Sequence, residues 1–138
     1  MYTFNMTKIE SFSSYYPNSP LGEIFFSIVR GKLAYLSFGV TMNKYFADST
    51  EHLGNLLKFI PETNIQVKES LKQYFEFKTP LSNLVVDISL LTDFQQKVLL
   101  ACMDIPFGTT INYGQLAKTI GIEKGAQAVG QALRYNPI

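Results

Sequence analysis

One cysteine in 138 residues leaves no internal disulfide to form, so the fold depends on packing. Histidine is equally scarce. His52 stands alone, with no cysteine or second histidine near it, which argues against a metal site and reads as a solvated or incidentally bonded side chain. Charged residues make up only 17%, too few for a disordered, self-solvating chain. No run of 18 apolar residues occurs, so no membrane-spanning helix is expected. The N-terminus lacks the basic-then-apolar pattern of a signal peptide. An intracellular, cytoplasmic protein is the expectation.

What the sequence has is apolar residues (46%) and aromatics (14%), enough for a packed core in one domain or two small ones. Net charge is +1, which alone says nothing about nucleic acid. Its distribution says slightly more. Residues 1–93 carry eight basic and nine acidic side chains. Residues 94–138 carry Lys97, Lys118, Lys124 and Arg134 against Asp104 and Glu123. That excess permits modest affinity for a polyanion without establishing it.

The first part mixes strands and helices. Residues 1–16 look extended, and Pro17 to Gly22 is a dense turn cluster. Glu23 to Val29 and Leu33 to Phe38 read as strands of a hairpin around Arg30-Gly31-Lys32, giving a small antiparallel sheet. Asp48 to Ile60 reads as an amphipathic helix capped by Asp48 with Glu51 three residues on, its stripe being Leu53, Leu56, Leu57 and Ile60. Asn64 to Phe77 is a second helix, with Val67, Leu71, Tyr74 and Phe75 inward. Pro80 opens an extended link from Lys78 to Leu91. The domain boundary falls in that link, giving an N-terminal domain over 1–85 and a C-terminal one over 86–138.

The last third is helical. Thr92 can cap a helix, with Gln95 reaching back to it. Phe94, Val98, Ala101, Cys102 and Ile105 then recur at helical spacing, and Pro106 and Gly108 end the run. Tyr113, Leu116, Ala117 and Ile120 make a shorter stripe closed by Gly121. A third helix is expected from about Lys124 to Arg134. Two short helices joined by a glycine-containing turn are a helix-turn-helix candidate. The third helix is rich in small residues: Gly125, Ala126, Ala128, Gly130 and Ala132. Val129, Ala132 and Leu133 share one side; Gln127, Gln131 and Arg134 share the other, with Gly130 at its edge. Two interior glycines cost about 1 kcal/mol each against alanine, so something should approach that backbone closely. Either a neighbouring helix packs there, or a nucleic-acid groove does.

Cys102 lies on the apolar stripe near its helix's C-terminal end. There a small buried hydrophobe is expected and the helix dipole disfavours a thiolate. It is not read as a nucleophile.

These residues resemble the O6-alkylguanine-DNA alkyltransferases, also called methylated-DNA–protein-cysteine methyltransferases. The matching run is Phe94-Gln95, Val98, Ile105-Pro106-Phe107-Gly108-Thr109-Thr110, Asn112-Tyr113-Gly114-Gln115-Leu116-Ala117, Ile120-Gly121, Ala128-Val129-Gly130-Gln131-Ala132 and Asn136-Pro137-Ile138. Upstream, Ser19-Pro20-Leu21-Gly22, Leu36-Ser37-Phe38-Gly39 and Leu71, Tyr74 and Phe75 fit the family's N-terminal domain. The resemblance implies an α/β chain in the broad sense, more strictly α+β: a small N-terminal domain with an antiparallel sheet, then a helical domain with a helix-turn-helix. It implies binding of alkylated double-stranded DNA from the minor groove, extrusion of O6-alkylguanine, and a single irreversible transfer to the protein's own cysteine without a cofactor. Extrusion is needed because the target atom is out of reach in a stacked duplex. The implied DNA-binding residues are Tyr113, Ala126, Gln127, Ala128, Gly130, Gln131 and Arg134, with Asn136 as a hinge. The tyrosine matching Tyr113 helps drive the nucleotide out; packing against Phe107 is the plainer reading of the residue alone. Gln127 departs from the family's arginine, which enters the base stack, and Gln is shorter and uncharged. Arg134 or Gln131 would have to compensate.

In the family a Pro-Cys-His-Arg segment follows the Asn-Pro that matches Asn136-Pro137, and its cysteine is the acceptor. The sequence stops before it. The expectation is therefore that these 138 residues contain no catalytic residue and do not complete the transfer. They would be a fragment, a truncated relative or a lesion-binding module of the alkyltransferase-like kind. An unrelated helix-turn-helix regulator fits less well. Val129, Leu133 and Ile138, which the family's later chain covers, are expected to be partly exposed or covered by a partner.

Overall fold

The computed structural model describes residues 11–54, 57–62, 65–81 and 83–138. Their contacts divide the chain into two compact units. One is 1–87 together with Pro137 and Ile138; the other is Ile88–Asn136. Each is described by itself.

In the first unit β1 (Ser11–Ser19), β2 (Gly22–Val29) and β3 (Lys32–Phe38) form an antiparallel sheet in that order. Arg30 (φ 50°) and Gly31 (φ 77°) make the β2–β3 turn. Positive φ at both central positions is the two-residue hairpin geometry whose twist suits the flanking strands. β1 runs further than the turn cluster suggested. It passes through Pro17 and is irregular between Tyr16 and Ser19, where an edge strand tolerates proline.

Successive side chains of a strand point to opposite faces, and here both faces are covered. Ile24, Phe26 and Ile28 join Phe12, Tyr16 and Leu33 on one face. Val67 and Leu71 of the helix Ile65–Phe77 close that core. On the other face Phe25 stacks on Tyr45, with ring centroids 5.2 Å apart. Ser27 there bonds the Tyr45 hydroxyl (2.5 Å) and the Ser13 hydroxyl (3.1 Å). Tyr45 belongs to α1 (Met42–Leu53); α2 is the helix Ile65–Phe77.

α1 corrects the expected helix over 48–60. Thr41 is its N-cap, accepting from the Lys44 amide, and Gly54 ends it at φ 76°. Asp48 is interior and pairs with Lys44 at 2.8 Å, an i,i+4 contact rather than a cap. Beyond the helix, Ser13 donates to Lys58 O and Ile60 donates to Ser13 O, so this stretch runs along the edge of β1. Leu56, also expected in the stripe, lies outside the described residues, as do Asn64 and residues 1–10.

The free edge of β3 is closed by two segments. Leu33 donates to Val85 O and accepts from the Asp87 amide, and the Leu36 amide donates to Pro137 O at 2.7 Å. Ile138 packs against the sheet's first core. Pro137 and Ile138, expected in the C-terminal domain, thus fall in the first unit because an open strand edge accepts them.

In the second unit α3 (Asp93–Met103), α4 (Tyr113–Thr119) and α5 (Ala126–Arg134) surround Val98, Leu116, Ala117, Ile120, Val129 and Ala132. α3 starts with the expected capping box of Thr92 and Gln95. It stops at Met103, so Ile105 lies past its end. Val129 is fully buried, against the expectation of partial exposure. Three short helices meeting at Val98, Leu116 and Ala117 suffice to enclose one β-branched side chain. Leu133 and Ile138 are each partly buried. Among the described residues no helix is long and apolar enough to cross a membrane.

Candidate functional site

Tyr113 is the first residue of α4, and its place is set by a cap that the sequence reading overlooked. Asn112 accepts from the Gln115 amide (2.8 Å), and the Gln115 side chain accepts from the Asn112 amide (2.8 Å). The Asn-x-x-Gln spacing was visible in the sequence as a capping box. With its helix start fixed at both ends of that box, Tyr113 stands half exposed at 54%.

α5 presents two unlike faces. Val129 and Ala132 are buried and Leu133 is partly so. Ala126, Gln127, Ala128, Gln131 and Arg134 are exposed. Helical spacing alone puts Gln127, Gln131 and Arg134 opposite Val129, Ala132 and Leu133. No carboxylate lies on α5, and Arg134 sits in its last turn. No side chain caps its N-terminus, so the first-turn amides lack the partner a Ser or Asp would supply.

The glycines have different neighbours from one another. The helix starts at Ala126, two residues after Lys124, and Gly125 is its N-cap. A Cβ at Gly125 would stand 2.5 Å from Ile122 Cγ2 and 3.4 Å from Ala117 Cβ. A Cβ at Gly130 would stand 3.0 Å from both Cδ2 and Cε2 of Tyr113. What approaches both glycines closely in this structure is therefore protein. The small residues left open on the outer face are Ala126 and Ala128. Asn136 follows as an exposed residue whose amide donates to Leu133 O at 3.1 Å.

Cys102 lies on α3, partly buried against the helical core. Burial pushes its thiol up from the ordinary value, which reduces the thiolate at neutral pH. His52 belongs to α1 of the first unit, against the Tyr35 ring at 5.7 Å, and burial pulls its pKa down. Among the described residues no group of three or more His, Cys, Asp or Glu side chains gathers as metal ligands do.

Residues 93–138, which hold all three helices, match the family described as 6-O-methylguanine DNA methyltransferase, DNA binding domain. A probable methylated-DNA–protein-cysteine methyltransferase of Acanthamoeba polyphaga mimivirus is 32% identical over 112 residues, covering 78% of this chain and 74% of that protein. The chain belongs to this methyltransferase family. The Mycobacterium tuberculosis family member is 42% identical over 71 residues, 51% of this chain. The match spans only 42% of that mycobacterial protein, less than half its length. The crystal structure of M. tuberculosis OGT in complex with DNA superposes with a TM-score of 0.76 at 28% identity, covering 91% of this chain and 71% of that one. Family membership accounts for the α+β architecture, since that solved relative shares it across both units' sequence.

Proposed function

We propose that this chain binds duplex DNA carrying O6-alkylguanine through the α4–turn–α5 pair, used as a helix-turn-helix, and extrudes the damaged base. The observation that carries the reading is the outer face of α5. It is exposed, free of carboxylates, lined by small and amide side chains, and ends in Arg134. Ala126 and Ala128 allow a close approach to a minor groove. Gln127, Gln131 and Arg134 offer donors to phosphates and base edges. Tyr113 stands beside them as the group that crowds the nucleotide, and Asn136 serves as the hinge. The uncapped N-terminus of α5 favours a phosphate at that end. The binding of DNA by the mycobacterial relative supports the same partner here.

Arg134→Ala is expected to weaken duplex binding at every sequence and to lower the slope of log affinity against log salt by about one. Fluorescence anisotropy across a salt series checks this. Superimposable curves for variant and parent would remove α5 from the interface.

Transfer is a separate matter from binding. It needs a thiolate aimed at the extruded base and a neighbouring proton acceptor. Within these 138 residues the only thiol is Cys102. It is packed into the stripe that holds α3, and its pKa is raised. The reading therefore gives these residues the lesion-binding part of the family's activity, and Cys102 no part in transfer. Incubated with an O6-methylguanine duplex, the 138-residue chain is expected to gain no mass. Intact mass spectrometry followed by peptide mapping decides it. A methyl mapped to Cys102 would overturn this assignment.

A further inference from the structure

Gly130 is the one interior glycine of α5, and helices disfavour glycine. The sequence cannot say what it makes room for. In the structure the space over its Cα is filled by the Cδ2–Cε2 edge of Tyr113, close enough that a methyl would sit 3.0 Å from both atoms. Ordinary carbon contacts begin near 3.5 Å. The ring is also half exposed, so it has an outward direction in which to yield. A methyl at this position would displace the tyrosine and leave the core beneath it alone, since Val129 and Ala132 point the other way.

We propose that Gly130 is a positioning residue for Tyr113. Its missing side chain seats the ring against the α5 backbone and so sets where the tyrosine stands beside Gln127, Gln131 and Arg134. The role in DNA binding rests on the function proposed above; the seating of the ring does not. This differs from an interior glycine kept so that the helix itself can approach a groove. In that case the methyl would harm binding whatever residue occupied position 113.

A double-mutant cycle separates the two. Gly130→Ala, Tyr113→Ala and the double variant are compared with the parent for duplex affinity and for melting temperature. Gly130→Ala is expected to weaken binding by about fivefold, the size by which touching residues commonly couple. In the Tyr113→Ala background the same substitution is expected to leave affinity unchanged. Melting should move the other way. Alanine is the better helix former, so Gly130→Ala should raise the melting temperature, and raise it more when the ring is absent. Equal losses of affinity in both backgrounds would assign the glycine to the groove and overturn the proposal. No loss in either background, with no coupling in melting, would overturn it as well. If the parent binds no duplex, the function proposed above fails. The melting cycle then decides the seating alone: a larger rise in the Tyr113→Ala background supports it, and an equal rise refutes it.

Discussion

Phe26→Ala is expected to cost the first unit about 3–5 kcal/mol, the usual range for emptying a large aromatic from a closed core. Phe26 is on the central strand, opposite Ser14 of β1 and Leu36 of β3. It is fully buried. Phe12, Ile24, Val67 and Leu71 share its core, so backbone on two sides and a helix above limit any collapse into the space. Domains of this kind are stable by about 5–15 kcal/mol, so the loss would remove a large part of the total. Urea unfolding followed by far-UV circular dichroism measures it as a fall in midpoint at unchanged slope. Phe77→Ala is the control. Phe77 ends α2 at 64% exposure, and its removal should cost well under 1 kcal/mol. Similar losses at the two positions would mean that the core is not where the sheet places it.

Phe26 also shows why the sheet was readable and its two-sidedness was not. The run Ile24-Phe25-Phe26-Ser27-Ile28 has the length and flanking turns of a strand, and a hairpin follows from Gly31. Whether a strand is covered on one face or two depends on where the helices come to rest. Ser27 hides this further. It looks like the polar side of an alternating strand, yet it is fully buried and bonded to Tyr45 and Ser13. A buried hydroxyl with partners costs little, but its partners come from two other elements and cannot be paired from local pattern.

α1 was misplaced for a related reason. Asp48-Ser49-Thr50-Glu51 carries the form of a capping box, whereas Thr41 has lysine rather than an acid or glutamine three residues on. Leu53, Leu56, Leu57 and Ile60 continue the helical period across Gly54. Periodicity records which residues could share a face; it does not say that the backbone remains helical between them. Gly54, free to take a positive φ, was the stop signal. By contrast the second unit begins α3 and α4 with side chains that satisfy the first amides within three residues. Such local closure can be read directly. The exposed face of α5 was legible in the same way, because Gln127, Gln131 and Arg134 lie opposite Val129 and Ala132 by helical geometry alone. What fills the space over a glycine is tertiary, and the sequence could pose that question only by placing two glycines there.

Gly125→Ala, the second large effect, is expected to destabilise the second unit by about 2 kcal/mol through overpacking. The backbone is not the obstacle, since Gly125 has φ −94° and ψ 9°, which alanine adopts. The obstacle is Ile122. Its Cγ2 would lie 2.5 Å and its Cβ 3.1 Å from the new methyl, with Ala117 Cβ behind at 3.4 Å. Ile122 is packed against the helical core, and its amide donates to Ala117 O at 2.9 Å, so it cannot swing outward as a surface side chain would. Either the turn opens or α5 shifts off α4. Losing glycine at an N-cap adds a few tenths of a kcal/mol in the same direction. Ile122→Ala removes the nearest atom, so the cost of Gly125→Ala should fall by more than half in that background. Thermal unfolding of the four proteins reads the coupling. The same change five residues on, at Gly130, meets a ring that can yield and is expected to raise the melting temperature. If both alanines shift melting in the same direction and by the same amount, helix propensity outweighs contact at this end of the chain. The packing drawn between Gly125, Ile122 and Ala117 would then be wrong.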